Sequence, residues 1–135
     1  MSHLYRASWW TITLAEGWRG RQDKECHTFV KGTESIGALQ ISAYQKGKGV
    51  LDDTEVKQFL ENHIEPGQAV QPIRVRNLNG FYVSCSKNGV YWRTWCLHSE
   101  NLLLFVTYNR DEGQMSPEDA EVETMLGTLK PTTEM

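Results

Sequence analysis

The sequence predicts an α+β fold in which an antiparallel sheet of about six or seven strands is covered by helices on both faces, an α/β/α sandwich. Three observations lead to this fold class: several segments alternate apolar and polar residues, two segments repeat apolar residues at helical spacing, and turn signals place apolar residues on both sheet faces. An antiparallel sheet that is apolar on both faces needs cover on both sides. The two helices are the predicted covers.

The 135 residues carry a formal net charge of -3 and are predicted to form a single domain over 1–135, with an ordered core from about residue 5 to 129. A chain of this size buries roughly two-thirds of its surface on folding, so it needs neither disulfides nor a structural metal. No apolar run approaches the roughly 20 residues of a membrane span, and residues 1–6 lack a signal peptide's apolar stretch. We therefore expect a soluble cytoplasmic protein that contacts no membrane. The nearly balanced charge predicts no binding to nucleic acid.

The first half of the chain contains three predicted strands. They span Ser8 to Leu14, Cys26 to Val30 and Ala38 to Tyr44. The first strand is predicted to stop at Glu16-Gly17-Trp18, and residues 18–21 are predicted to lie in a loop.

Two helices are predicted from their start signals and apolar stripes. The first begins near Asp52 and Asp53, either of which can accept a hydrogen bond from the free amides of the first turn. The last begins at Ser116 as N-cap with Pro117 at the first helical position. The two predicted stripes are Val56, Phe59, Leu60 and Ile64, and Val122, Met125, Leu126 and Leu129.

The second half of the chain is predicted to contain four strands: Val70 to Leu78, Phe81 to Lys87, Val90 to His98 and Leu102 to Tyr108. Asn79-Gly80 and Asn88-Gly89 are predicted to be two-residue type I′ turns, because both central positions of that turn need positive φ. These turns would pair Leu78 with Phe81, Cys85 with Trp92 and Phe81 with Cys96, and a further tight turn is predicted at Glu100-Asn101. One face then collects Leu78, Phe81, Val83, Cys85, Trp92 and Cys96, and the opposite face collects Ile73, Val75, Tyr82, Tyr91, Trp95 and Leu97.

Three segments of the chain match a known structural pattern: residues 10–18 (WTITLAEGW), 37–42 (GALQIS) and 103–108 (LLFVTY). In these segments the chain resembles the PsbP-like superfamily, in particular its bacterial branch of unassigned role. That group also includes the extrinsic photosystem II protein and a Ran-binding nuclear import factor. The resemblance implies an antiparallel sheet between helices and a role in binding or assembly, with no catalytic motif to carry over.

The candidate chemical groups do not form a recognisable reaction centre. Cys26, Cys85 and Cys96 have no metal-ligand spacing, and the four histidines are scattered, so we predict buried packing thiols, no metal and no cofactor. A thiol enzyme with Cys96 as nucleophile and His98 as base is the alternative that involves catalysis.

Aromatic, arginine and acidic residues give the candidate binding positions. Trp18, Arg19 and Arg21 follow the first strand, and Arg93 is predicted to lie beside Trp95. Tryptophan and arginine are common anchors of protein interfaces, but Trp95 is predicted to be a core residue with Arg93 covering it. Six acidic residues and no basic residue lie between positions 111 and 123, so Glu121 and Glu123 are candidates for an acidic docking face.

These observations favour a small cytoplasmic domain that binds another protein or acts as an adaptor, without catalysis of its own and as a monomer or homodimer. The first alternative is an immunity-type protein that neutralises a bacterial toxin by direct contact, suggested by the small acidic single domain. The thiol enzyme is the second alternative.

Overall fold

The computed structural model of the protein describes residues 2–24, 26–32, 36–113 and 118–132. Strands make up 54% and helices 15% of the described chain, so the protein is mostly β. The strands are β1 (His3–Arg6), β2 (Trp10–Leu14), β3 (Trp18–Asp23), β4 (Cys26–Lys31), β5 (Gly37–Gln45), β6 (Gln71–Val75), β7 (Leu78–Lys87), β8 (Val90–Ser99), β9 (Leu102–Asp111) and β10 (Lys130–Pro131). The helices are α1 (Asp53–Glu61) and α2 (Glu118–Leu126).

Seven strands form the central sheet in the order β3-β4-β5-β9-β8-β7-β6, and all neighbouring pairs are antiparallel. Strands β6 to β9 form a meander, in which each strand pairs with the next one in the chain. Strand β5 pairs with β9, although α1 and strands β6 to β8 lie between them in the sequence. This order places β3 and β6 at the two edges of the sheet.

A second sheet, ordered β1-β2-β10, covers one face of the central sheet. Trp10, Ile12 and Leu14 of β2 are buried in the same core cluster as residues of the central sheet. The predicted α/β/α sandwich with a helix cover on each face is therefore wrong, because the chain is mostly β and one face lies under this second sheet. Sequence reasoning missed β1, β3 and β10, since β1 and β3 are rich in polar residues and β10 has only two residues.

The hairpin turns were predicted correctly at two of three positions. Asn88-Gly89 has the positive φ angles that a type I′ turn requires, and it sets the predicted pairing of Cys85 with Trp92 and of Phe81 with Cys96. Glu100-Asn101 joins Ser99 to Leu102 as predicted.

The predicted turn at Asn79-Gly80 is wrong. The chain turns instead at Arg76-Asn77, where Val75 pairs with Leu78, and Asn79 and Gly80 lie inside β7. The shift moves Leu78 from the predicted face of Phe81 to the opposite face, where it is buried in the larger core cluster. Because successive side chains of a strand point to opposite faces, one misplaced turn changes the face of a residue.

The central sheet has apolar clusters on both faces, and the two clusters differ in size. The larger lies between the two sheets, and the helical residues Val122, Met125, Leu126 and the following Leu129 are buried in it, as the predicted stripe requires. The predicted N-cap at Ser116 and Pro117 falls outside the described residues.

The smaller cluster lies under α1, where Val56 and Leu60 pack against Val83, Cys96 and Leu103. The predicted aspartate cap of this helix is confirmed. Asp52 Oδ1 accepts from the Glu55 amide at 2.8 Å, and Glu55 Oε1 accepts from the Asp52 amide at 3.1 Å, which is a capping box. Within the described chain, neither helix is long and apolar enough to cross a bilayer.

Candidate binding face

The central sheet is only partly covered on the face that carries α1. This nine-residue helix is about 14 Å long, whereas seven strands about 4.8 Å apart measure about 29 Å across. Its main contacts are with β7 and β8, and no other described helix packs in the smaller cluster. We call the uncovered area, from Arg19 and Arg21 on β3 to Trp92 on β8, the open sheet face.

Short polar side chains form the middle of the open sheet face. The register aligns one row across five strands, through Arg21, Thr28, Gln40, Thr107 and Thr94. Gln40 Nε2 donates to Thr28 Oγ1 at 3.3 Å, which holds two of these side chains in place. The middle of this face is therefore polar and carries no formal charge apart from the arginine at its edge.

Arg19 and Arg21 lie at the edge of the open sheet face. A Cβ on the intervening Gly20 would meet the ring of Phe29, so Gly20 lies on the core side and the two arginines lie on the other. Both arginines are exposed, and with Thr28 they line a shallow hollow of about 140 Å³. The Arg21 guanidinium lies 3.8 Å from Asp23, but both side chains are more than half exposed, so this ion pair is weak.

An apolar groove of about 300 Å³ lies on the open sheet face, beside the C-terminal end of α1. Its lining includes Ile64, Val83, Cys85, Trp92, Thr94 and Phe105. Trp92 is 37% exposed and lines this groove, so an exposed aromatic ring lies directly beside an apolar hollow. Lys87 and Glu65, which also line the groove, form an ion pair with each other.

Aromatic contacts fix one wall of the groove. The Phe59 ring of α1 lies 5.7 Å from Phe105 and 5.2 Å from Tyr44, and the His63 ring lies 4.4 Å from Phe59 and 5.1 Å from Phe105. His63 Nδ1 also lies 2.7 Å from the Phe59 carbonyl oxygen. This packing holds the helix end against the sheet, so the wall beside Trp92 is preformed.

The predicted binding residues fall in three separate places. Arg19 and Arg21 share the open sheet face, whereas the buried Trp18 contacts the partly buried Glu121 on the core side of the sheet. Trp18 is 2% exposed and begins β3 instead of lying in a loop, and its Nε1 donates to Glu121 Oε1 at 3.3 Å. Lys31 Nζ pairs with the same carboxylate at 3.0 Å.

The last two predicted binding residues, Arg93 and Glu123, lie together on the sheet face opposite the groove. The Arg93 Nη2 donates to Glu123 Oε2 at 2.9 Å, and the guanidinium lies 4.7 Å from the Trp95 ring. Trp95 is 2% exposed, so its predicted core position is confirmed. Burial acts to lower the pKa of Arg93, but its contacts with Tyr82 and Glu123 outweigh burial and raise the pKa above its ordinary value.

The acidic residues of α2 contact the protein's own chain. Glu118 is 2% exposed, Asp119 pairs with Arg110 at 2.9 Å, and Glu121 and Glu123 have the partners described above. An acidic docking face for another protein would present unpaired carboxylates, whereas each of these four has an internal contact.

The thiol and the imidazole of the alternative catalytic pair point to different partners. Cys96 Sγ donates to the Val56 carbonyl at 3.6 Å, and His98 Nε2 lies 3.2 Å from Asp53 Oδ1. Burial raises the pKa of the Cys96 thiol to about 12 from an ordinary 9.0. Within the described residues, no group of three histidine, cysteine or acidic side chains is arranged to hold a metal.

We expect Cys96 to be unreactive toward a disulfide reagent in the native protein at neutral pH. A pKa of about 12 leaves roughly a thousandfold less thiolate than an ordinary cysteine carries, and the thiolate is the reactive form. Cys26 and Cys85, which are half-buried, serve as internal controls. Mass spectrometry after timed labelling would show those two modified at least 100-fold faster, and equally fast labelling of Cys96 would contradict its burial.

Trp92 is the residue of this face that sequence reasoning did not single out. The hairpin pattern places it on an apolar sheet face, and that face is predicted to lie under a helix. The length of the predicted helix is the available signal, because a helix of between three and four turns is too short to cover seven strands.

Comparison with known proteins identifies a structural relative and no family. No family model matches the chain, and no curated protein matches it. A crystal structure from Bacteroides thetaiotaomicron VPI-5482, determined at 1.50 Å, is similar with a TM-score of 0.70 and 16% sequence identity. The match covers 93% of this chain and 46% of that one, so the chain spans about half the length of its relative. At this identity the likeness concerns the fold alone, and the PsbP-like relationship stays a prediction.

Proposed function

We propose that the chain is a protein-binding domain without catalysis of its own and that it binds its partner through the open sheet face. The observation that supports this proposal most is the exposed Trp92 beside a preformed apolar groove. Tryptophan and arginine contribute most to the affinity of protein interfaces when they lie beside a well-packed pocket. The open sheet face offers Trp92 at one side and two exposed arginines at the other.

The chemistry of this face describes the partner. An apolar or aromatic side chain of the partner would fill the groove, where Val83, Phe105 and Trp92 provide apolar contacts. Acidic side chains of the partner would pair with Arg19 and Arg21. The uncharged polar side chains of the row between them and Trp92 would pair with backbone or amide groups of the partner. The partner segment we propose therefore combines an apolar anchor with one or more acidic residues.

The alternatives have less support. The thiol enzyme needs Cys96 as a nucleophile, and its Sγ is buried against a backbone carbonyl of α1. The immunity-type role rests on the small acidic single domain, and the four acidic residues of α2 contact their own chain. Cytoplasmic location, and the choice between monomer and homodimer, stay predictions.

Selection of displayed peptides tests the proposed function. The purified domain is used as bait for a library of random twelve-residue peptides, and enriched peptides are titrated against the domain by fluorescence polarisation. We expect enriched peptides to contain an aromatic or large aliphatic residue near acidic residues. Trp92→Ala is expected to weaken their binding at least tenfold, because the exposed ring is lost as a contact.

Trp9→Ala is the matched control, since Trp9 is 36% exposed and lies on β2's side of the protein, away from the groove. This control is expected to change affinity less than twofold. The double variant Arg19→Glu, Arg21→Glu is expected to weaken binding and to reduce its dependence on salt. Peptides that bind Trp92→Ala as tightly as the native domain, or a selection that enriches none, would contradict the proposal.

A further inference from the structure

A second cleft, of about 380 Å³, lies on the other face of the central sheet, between the edge strand β6 and the C-terminal end of α2. Three arginines line it: Arg74 and Arg76 near the edge of the sheet, and Arg93 from β8. Glu123 is the one acidic residue in its lining. The lining therefore has a positive formal charge.

Arg93 is held in a fixed position within this cleft. Its side chain is 11% exposed, and its guanidinium lies 4.7 Å from the Trp95 ring and 5.3 Å from the Tyr82 ring. The Nε donates to the Tyr82 hydroxyl at 2.9 Å and Nη2 donates to Glu123 Oε2. Within the described residues Nη1 makes no hydrogen bond, so a rigid guanidinium retains donor capacity.

Arg110 is a useful comparison, because all three of its guanidinium nitrogens donate hydrogen bonds. It also lies over a tyrosine ring, at 4.7 Å from Tyr91, and it also pairs with an acidic residue of α2. There Nε and Nη2 both donate to the two oxygens of Asp119, at 3.0 and 2.9 Å, and Nη1 donates to the Asp111 carbonyl. Arg93 contacts a single oxygen of Glu123, whose side chain is 64% exposed.

The rest of the cleft combines further positive charge with apolar walls. Arg74 Nε donates to the Arg76 carbonyl at 2.9 Å, and Arg76 Nη1 donates to the Gly127 carbonyl at 3.2 Å, which fixes both side chains at the rim. Ile73, Val75 and Leu126 provide the apolar lining. A planar guanidinium matches a carboxylate in two-point contact, and the apolar walls match an organic body.

We propose that this cleft binds a small organic carboxylate, with the carboxylate on Arg93 and an aromatic or aliphatic body against Val75 and Leu126. Arg93 Nη2 already donates to a carboxylate oxygen of Glu123, which is the same type of group that we propose for the ligand. The site lies on the face opposite the open sheet face, so it is independent of the proposed protein-binding role. A volume of about 380 Å³ falls at the lower end of the range of small-ligand sites.

Titration with phenylacetate, followed by the indole NH signal of Trp95 in heteronuclear NMR spectra, tests this proposal. Saturable shifts are expected with phenylacetate, and at least tenfold weaker binding is expected with the neutral phenylacetamide. Arg93→Gln is expected to weaken phenylacetate binding at least tenfold. The matched variant Arg110→Gln, which removes a guanidinium held over a tyrosine and paired with α2, is expected to change it less than twofold.

Two variants that keep Arg93 make the test independent of its role in folding. Glu123→Gln removes the competing carboxylate and is expected to strengthen phenylacetate binding severalfold. If the ion pair between Arg93 and Glu123 serves only the fold, neither the native protein nor Glu123→Gln binds phenylacetate. Val75→Phe fills the apolar wall and is expected to weaken binding at least fivefold. No saturation with phenylacetate, equal binding by Arg93→Gln, or binding of inorganic phosphate in its place would overturn the proposal.

Discussion

Replacing Gly80 by alanine is expected to destabilise the protein by about 3 kcal/mol, because the added methyl group has no room beside the neighbouring strand. Gly80 lies inside β7, and a Cβ there would collide with the Cys96 carbonyl oxygen and lie 2.8 Å from the Cys96 carbonyl carbon and 2.9 Å from the Leu97 Cα. All three atoms belong to the backbone of β8, which is held between β7 and β9. The collision cannot be relieved by turning a flexible side chain.

Urea unfolding monitored by tryptophan fluorescence would measure the change as a lower midpoint with an unchanged slope. Gly47→Ala is the control, because the space around Gly47 is open and its φ is not positive. The control is expected to lie within about 0.5 kcal/mol of the native protein. A Gly80→Ala protein as stable as the control would contradict the close approach of β7 to β8 at Gly80.

Glu118→Ala is expected to destabilise the protein by about 3 kcal/mol, since the change leaves buried donors without their acceptor. The Glu118 carboxylate accepts from the Tyr108 hydroxyl at 2.7 Å, the Gly37 amide at 3.0 Å and the Ile36 amide at 3.2 Å. It thereby ties α2 to β5 and β9. Burial, and then the contact with Glu118, raise the pKa of Tyr108 well above its ordinary 10.0, so the phenol stays a donor at neutral pH.

A double-mutant cycle with Tyr108→Phe would isolate this contact by chemical denaturation. Tyr108→Phe is expected to cost about 1 kcal/mol in the native protein and clearly less in Glu118→Ala. Glu61→Ala, on the exposed side of α1, is the control and is expected to change stability by less than about 0.5 kcal/mol. Additive effects of the two changes at Glu118 and Tyr108 would contradict the hydrogen bond.

The central meander was largely readable from the sequence, because local turn chemistry and strand alternation agree there. Asn88-Gly89 set the pairing of β7 with β8 correctly. Asn79-Gly80 has the same dipeptide but lies inside a strand, since Gly80 is the residue that permits close approach to β8. Arg76 adopts a φ of 55° at the turn that the chain forms, Arg76-Asn77, and arginine is not a residue type that predicts a positive φ.

The open sheet face could not be derived from local patterns. Its position depends on which strands the chain places beside β5, and β3 lacks the apolar alternation that marks a strand. The single apolar residue of β3 is Trp18, and the rest of the strand is Arg19, Gly20, Arg21, Gln22 and Asp23. The exposure of Trp92 follows from the shortness of α1, whereas Arg19 and Arg21 join this face only once β3 has its place at the edge of the sheet.

The division of side chains along β8 has a consequence for how the protein unfolds. Trp95 and Leu97 belong to the larger cluster, and Cys96 between them belongs to the smaller one. Leu103 and Leu104 divide the neighbouring β9 in the same way. Neither cluster can lose its central strands while the other keeps them, so we expect one cooperative transition for both, with local opening confined to segments outside β8 and β9.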